Sequence, residues 1–283
     1  MYQAKILADS IAPCGKRLTT FEVTYPRFVH SELMTHRMFS RNSASSRAIP
    51  IEKMIQRVVD DPAMPVYWGA NQKGMQAEQE LSEEEKKVAI QEWLNARNDA
   101  ICRVRWLMKV NVHKQIVNRL LEPWMWITVI VSATEYENFF HLRCHPAAQP
   151  EIRHIAEMMQ ELYRFNTPNE LHHGQWHLPL TNDYDRAELG LGTPTPAYAA
   201  TEKLMKVSVG RCARVSYLTH DGKRDLQADI DLCERLAQSG HWSPFEHVAQ
   251  ALDTARWAGN FCGWTQYRKL FQNENFTGGT NGD

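Results

Sequence analysis

Apolar positions along the chain change their spacing several times, and each change marks a new element. Residues 17–28, RLTTFEVTYPRF, have the β-branched and aromatic content of a strand, ending at Pro26. The next stretch, FVHSELMTHRMFSR, is suited to a helix that delivers His36 and Arg37 near its C-terminal part. Pro50 closes the polar window that follows, and residues 60–74 read as loop, punctuated by Pro62, Pro65 and Gly69. A long helical stretch then starts at Ser82. Ser82 and Glu85 form a capping box, apolar residues recur at Val88, Trp93, Ala96, Ala100 and Val104, and Pro123 stops the run.

WMWITVIVSATEYENFFHLR is apolar first and then polar on one face, and Pro150 opens another helix, PEIRHIAEMMQELYRF. The Pro- and Gly-rich HHGQWHLPLTNDYDRAELGLGTPTPAY reads as a linker. Beyond it come a helix near residues 196–204, a strand-like VSVGRCARVSYL, an amphipathic helix DLQADIDLCERLAQSG and a C-terminal segment. These shifts divide the chain into residues 1–170, a linker with a short helix at 171–206, and a last part at 207–283. There is also an internal echo. THRMFSRNS at 35–43 and QYRKLFQNE at 266–274 align without gaps on Arg37/Arg268 and Asn42/Asn273, each after a strand-like stretch.

Composition narrows the class. With 283 residues, 43% of them apolar and 23% charged, the chain is an ordinary globular protein able to bury a sizeable core. A formal net charge of −1 argues against a general nucleic-acid binder but leaves room for local positive clusters. No apolar run reaches membrane-spanning length, and MYQAKILADS lacks a signal-peptide pattern, so no membrane association is expected. The six cysteines are scattered without a C-x-x-C pair, which reads as reduced and cytoplasmic.

One window stands apart. Residues 35–50, THRMFSRNSASSRAIP, hold three arginines, a histidine and four serines, with no acid. Solvated loops usually mix charge signs. Fork-shaped donors beside short hydroxyls are what an anionic ligand, typically a phosphate, requires. The histidines of HHGQWH (His172, His173 and His177) lie in a loop-like linker without a carboxylate partner; they read as solvated, and no metal is expected.

HRMFSRNSASSR resembles the signature of the flavin-dependent thymidylate synthases: His36, Arg37, Ser45 and Arg47 fall on it, and Asn42 matches as well. NRLLEP resembles the family's Arg-x-x-x-Pro element and places Arg119 on a substrate-binding arginine. NFFHLRCHPAAQPEI resembles its Asn-Phe-x-x-x-Arg helix, placing Asn138 on a flavin contact and Arg143 on the catalytic arginine. GRCARVSY and GHWSPFEH resemble the segments that open the family's usual chain, with His241 and Ser243 on flavin-site positions. Here those segments come last, so the order looks permuted and the echo looks like a strand–helix unit kept at both ends.

The resemblance implies an α/β (α+β) fold with a small sheet and long helices. It implies homotetramers with shared active sites, and conversion of dUMP to dTMP with FAD, NADPH and methylenetetrahydrofolate. Ser45, Ser46, Arg47 and Arg119 would hold the nucleotide, and His36, Arg37, Asn138, His241 and Ser243 the cofactor. Arg143 would stabilise the N3 anion that makes uracil C5 nucleophilic. Thr35 and Ser43 depart from the signature, Ser43 replacing a glutamate that Glu274 of the second copy would restore. These departures leave open a different pyrimidine deoxynucleotide such as dCMP, a hydroxymethyl product, or a homologue that binds without turnover. On its own, Arg143 would equally pair with Glu137 or Glu151, Arg119 would satisfy a helix end, and His241 would cap a turn. CHPAAQ, residues 144–149, has the Cys-His-x-x-x-Gln spacing of the cysteine-dependent enzymes; its flanks fit the flavin family, so Cys144 is read as mimicry.

Overall fold

A computed structural model of the protein describes residues 1–191, 198–216 and 225–275. The chain opens with an antiparallel hairpin of β1 (Gln3–Ile11) and β2 (Arg17–Pro26), as the residue content of β2 requires. α1 (His30–Met34) is a single turn rather than the longer helix expected. Arg41 Nη1 donates to the Leu33 and Met34 carbonyls and so satisfies the groups a continuing helix would have used. Phe39 is drawn into the core, and β3 (Ser40–Ser43) leaves to join the sheet.

α2 (Ile51–Asp60) buries Met54, Ile55 and Val58. The capping box at Ser82 and Glu85 opens α3 (Glu83–Lys109), which stops well before Pro123. Asn111 adopts φ 60°, a left-handed conformation that asparagine tolerates and a helix cannot continue through. α4 (Lys114–Val117) and a 3₁₀ segment, Asn118–Trp124, carry Pro123 into β4 (Trp126–Ala133). The apolar-then-polar stretch thus becomes strand β4 followed by α5 (Glu137–Arg143), and α6 (Pro150–Phe165) starts at its proline as expected. Two short strands follow, β5 (Asn169–Glu170) and β6 (Trp176–His177), then α7 (Asp183–Glu188).

α8 (Tyr198–Ala213) corrects the strand-like reading of VSVGRCARVSYL: through Ala213 that stretch is helix, followed by a 3₁₀ turn, Arg214–Ser216. Burial of Val207, Val209 and Cys212 overrides their β propensity. Gly210 allows α8 to touch α9 (Leu226–Gln238), because a Cβ there would lie 2.3 Å from the Asp229 carbonyl oxygen. Tyr217, Leu218 and the linker's 192–197 lie outside the described residues, as does the chain beyond 275. α8 also runs unbroken through Lys206 and Val207, where the sequence suggested a division. A 3₁₀ turn, Ser243–His247, leads to β7 (Ala249–Ala251), β8 (Trp257–Ala258), β9 (Phe261–Cys262) and β10 (Trp264–Gln266).

The main sheet has five strands in the order β3-β4-β2-β1-β5, antiparallel except for the β1–β5 pair. Its two faces differ. Phe21, Val23 and Tyr25 of β2 and Val129, Val131 and Ala133 of β4 pack under α5 and α6 as the principal core. Thr20, Glu22 and Thr24, with Thr128 and Ser132 opposite, make the other face polar. β6, β7 and β10 form a separate three-stranded sheet, and β8 pairs with β9. No helix among the described residues is long and apolar enough to cross a membrane.

Candidate active site

α5 ends at Arg143, four of whose five guanidinium N–H groups have partners among the described residues. Nε donates to His36 Nε2 (2.9 Å), Nη1 to Glu32 Oε2 (2.6 Å), and Nη2 to Thr35 Oγ1 (3.1 Å) and the Glu32 carbonyl (3.3 Å). The ion-pair partner is therefore Glu32, not Glu137 or Glu151. His36 is buried against Phe39 and Phe139. Burial first, then the Arg143 and Arg41 charges, lower its pKa to about 4, so the ring is neutral and its Nε2 accepts. A cavity of about 170 Å³ opens beside this cluster, lined by Thr35, Arg37, Asn138, Leu142 and Arg143 among others. The structure thus brings four nominated residues together: His36, Arg37, Asn138 and Arg143.

A second group gathers around Glu122. Arg119 Nη1 (2.7 Å), Arg27 Nη2 (3.0 Å) and Ser46 Oγ (3.5 Å) all reach Glu122 Oε1. Asn118 Nδ2 donates to the Ser46 and Ile49 carbonyls and pins the loop. Arg47 is exposed, and its Nε donates to Ser45 Oγ at 3.5 Å. Glu122 and Asn118 were invisible as site residues in the sequence, although both belong to the NRLLEP stretch.

The third group comes from the far end of the chain. Ser243 Oγ donates to Asn42 Oδ1 (3.2 Å), joining the SPFEH segment to the signature. Gln266 Nε2 and Asn260 Nδ2 each reach Ser40 Oγ at 3.0 Å. His241 is exposed, and its Nδ1 shares a hydrogen bond with Ser239 Oγ (2.8 Å). Glu274 pairs with Lys269 and, at 3.6 Å, with Arg268 Nε. The carboxylate whose charge acts on the signature's Arg41 is Glu246, itself paired with Arg268.

The reading of His177 as solvated is wrong: it is buried. A chain of hydrogen bonds runs beneath the sheet's polar face. It links Ser10 Oγ to His177 Nδ1 (2.9 Å), His177 Nε2 to Thr20 Oγ1 (2.8 Å), Thr20 Oγ1 to Ser132 Oγ (2.6 Å) and Ser132 Oγ to His247 Nδ1 (2.8 Å). Burial lowers the pKa of both histidines to about 3, and His247 Nε2 has no hydrogen-bond partner among the described residues. The signal that could have found this chain is the alternation in β2 and β4 that places Thr20 and Ser132 on the face opposite Phe21 and Val131. Cys144 packs against the core, where burial, and then Glu157, raise its thiol pKa; a thiolate is disfavoured there.

Residues 17–169 match the family described as thymidylate synthase complementing protein. The chain belongs to it. This is the flavin-dependent thymidylate synthase family, and the match covers the signature, Arg119, Asn138 and Arg143. No protein of curated function matches by sequence. Among solved structures, the UMP/dUMP methylase PolB from Streptomyces cacaoi bound with 5-Br UMP is 15% identical with a TM-score of 0.47, over 58% of this chain and 88% of that one. The same methylase bound with 5-Br dUMP gives 18% identity and a TM-score of 0.43, over 52% and 66%. The described residues form the mixed α/β fold with small sheets and long helices that the sequence implied.

Proposed function

We propose that this flavin-dependent thymidylate synthase family member converts dUMP to dTMP, with methylenetetrahydrofolate as carbon donor and NADPH-reduced FAD as hydride source. The observation that carries the reading is Arg143, oriented by His36, Thr35 and Glu32 beside a cavity that Arg37 and Asn138 also line. The free Nη1–H of this guanidinium, with an Nη2–H now given to Thr35 or the Glu32 carbonyl, would donate to the O2 and N3 edge of a pyrimidine and favour its anionic form, which loads electron density onto C5. Arg37 and the Asn138 amide suit the carbonyl and phosphate oxygens of a flavin nucleotide; when bound, that group supplies the hydride that completes the methyl. Ser45, Ser46, Arg47 and Arg119 would hold the nucleotide phosphate, with Glu122 releasing Arg119 to it.

At about 170 Å³ the Arg143 cavity is too small for nucleotide and cofactor together. That size supports a homotetramer whose sites are completed across subunits. The Ser243–Asn42 contact supports the permuted order, since it seats the SPFEH segment against the signature although 201 positions separate them. The test is the visible spectrum of the purified protein, then addition of dUMP and methylenetetrahydrofolate to its reduced form. Flavin reoxidation that needs both ligands and yields dTMP supports the reading; a protein that takes up no FAD overturns it.

One observation favours a second substrate. Glu32 already neutralises Arg143, so a uracil N3 anion would meet a carboxylate as well as a guanidinium. Cytosine offers two acceptors and an exocyclic amine, matching guanidinium and carboxylate side by side. Parallel assays with dCMP and dUMP decide between them, and Glu32→Gln should shift the preference towards dUMP.

A further inference from the structure

A cavity of about 350 Å³ lies between α2, the N-terminus and the open end of the sheet's polar face. Its floor includes Thr24 and Thr128, paired across β2 and β4 with their hydroxyls 2.9 Å apart. Trp124, Trp126, Met54 and Met125 supply apolar walls, with sulfur and ring surface that favour an aromatic guest. Of the nominated site residues only Ser46 lines it: Ala44 and Ser46 face the cavity, whereas Ser45 and Arg47 do not.

The charged groups lining the cavity each have a partner, with one exception. The Met1 ammonium holds Asp61 (2.6 Å), Arg27 holds Glu122 (3.0 Å), and Asp60 accepts from Gln56 (2.6 Å). Arg57 is half-buried at the cavity, and its guanidinium has no hydrogen-bond or ionic partner among the described residues. By contrast, the partly buried Arg17, Arg143, Arg211 and Arg268 each hold a carboxylate. Burial lowers the Arg57 pKa with no anion to oppose it, the state of a guanidinium desolvated for a partner it lacks.

We propose that this cavity binds a small aromatic monocarboxylate, with the carboxylate on Arg57 and the ring against Trp124, Trp126 and the methionines, at a site separate from the Arg143 cluster. A monoanion fits better than a phosphate dianion, because one unopposed cation faces it and Asp60 and Asp61 at the same cavity repel further negative charge. The Thr24–Thr128 pair has one hydroxyl hydrogen left for a polar ring substituent.

The test titrates the full chain with 2-naphthoate, with neutral 2-naphthalenemethanol and with acetate, reading heat and tryptophan fluorescence. Naphthoate should bind saturably at one site per chain, and the alcohol and acetate at least about tenfold more weakly, as expected for loss of a charge-assisted hydrogen bond or of the ring. Arg57→Ala should weaken naphthoate by a similar factor while keeping the thermal midpoint, and Arg57→Lys should recover part of the loss. Should the alanine variant fail to fold, Arg57→Gln serves in its place. Absent or non-saturable naphthoate binding, equal affinity for the alcohol, or an unchanged variant would overturn the proposal. Displacement of naphthoate by dUMP would overturn its separateness. No flavin, folate or turnover is needed, so the outcome is independent of the proposed reaction.

Discussion

The two faces of the five-stranded sheet solve burial in opposite ways. Under α5 and α6, Phe21, Val23, Val129 and Val131 meet Phe139 and Phe140, and the Tyr136 and Tyr25 hydroxyls of this core are hydrogen-bonded. On the opposite face Thr20 and Ser132 are equally buried, but they are linked to two neutral histidines drawn from β6 and the Ser243–His247 turn. The first face is held by area, the second by complementarity. A face held by area tolerates approximate partners; a chain of five hydrogen-bonding side chains accepts only one arrangement.

Truncation separates the two faces most sharply. Phe139→Ala on the apolar face should cost about 3–5 kcal/mol in urea unfolding, as for other large buried aromatics. Thr20→Val breaks the middle of the polar chain while keeping shape; it should cost about 1–3 kcal/mol, the price of leaving buried partners unsatisfied. A loss as large as that of Phe139→Ala would mean the polar chain is the main tie between sheet and C-terminal elements.

Acid should act on the polar face. His177 and His247 have folded pKa values of about 3, below the ordinary histidine value near 6.5. Between those values the unfolded chain binds more protons, so stability is fully present above pH ~6.5 and falls as pH drops towards 3. The limiting slope is about 1.4 kcal/mol per pH unit for each histidine. His30 and His36, lowered to about 4, add to the slope down to that pH. Urea midpoints from pH 7 to pH 4 should therefore fall, and His177→Gln with His247→Gln should flatten the curve; an unflattened curve places the acid sensitivity elsewhere.

The smallest effect on stability belongs to the exposed arginines. Arg37→Ala and Arg47→Ala should shift stability by no more than about 0.5 kcal/mol, because neither supports packing. If the proposed function holds, both should still weaken nucleotide or flavin binding, measurable by calorimetry.

Elements with strong local signals were legible in the sequence. The Ser82–Glu85 capping box, the proline that opens α6 and the β-branched run of β2 each placed an element correctly. Tertiary burial defeated local reading where the two conflicted, as in α8, whose valines look like strand and pack as helix. The Arg143 cluster was legible as to Arg143, His36, Arg37 and Asn138, because motif spacing carries those. Glu32 was not, since its role depends on a turn of α1 meeting the end of α5. His177 was misread because a polar loop composition says nothing about which single side chain turns inward.

The contact of Ser40 with Asn260 and Gln266 spans more than two hundred positions, 220 and 226. On a ribosome adding ~5–20 residues per second, β3 emerges on the order of ten seconds or more before its partners exist. Once β4 has emerged, β2 and β4 can pair and bury their apolar side, while Thr20, Ser132 and Ser40 stay wet. The polar seam is thus the late step of folding, and a chain cut after Gly240 should retain the early hydrophobic collapse while the seam stays solvated.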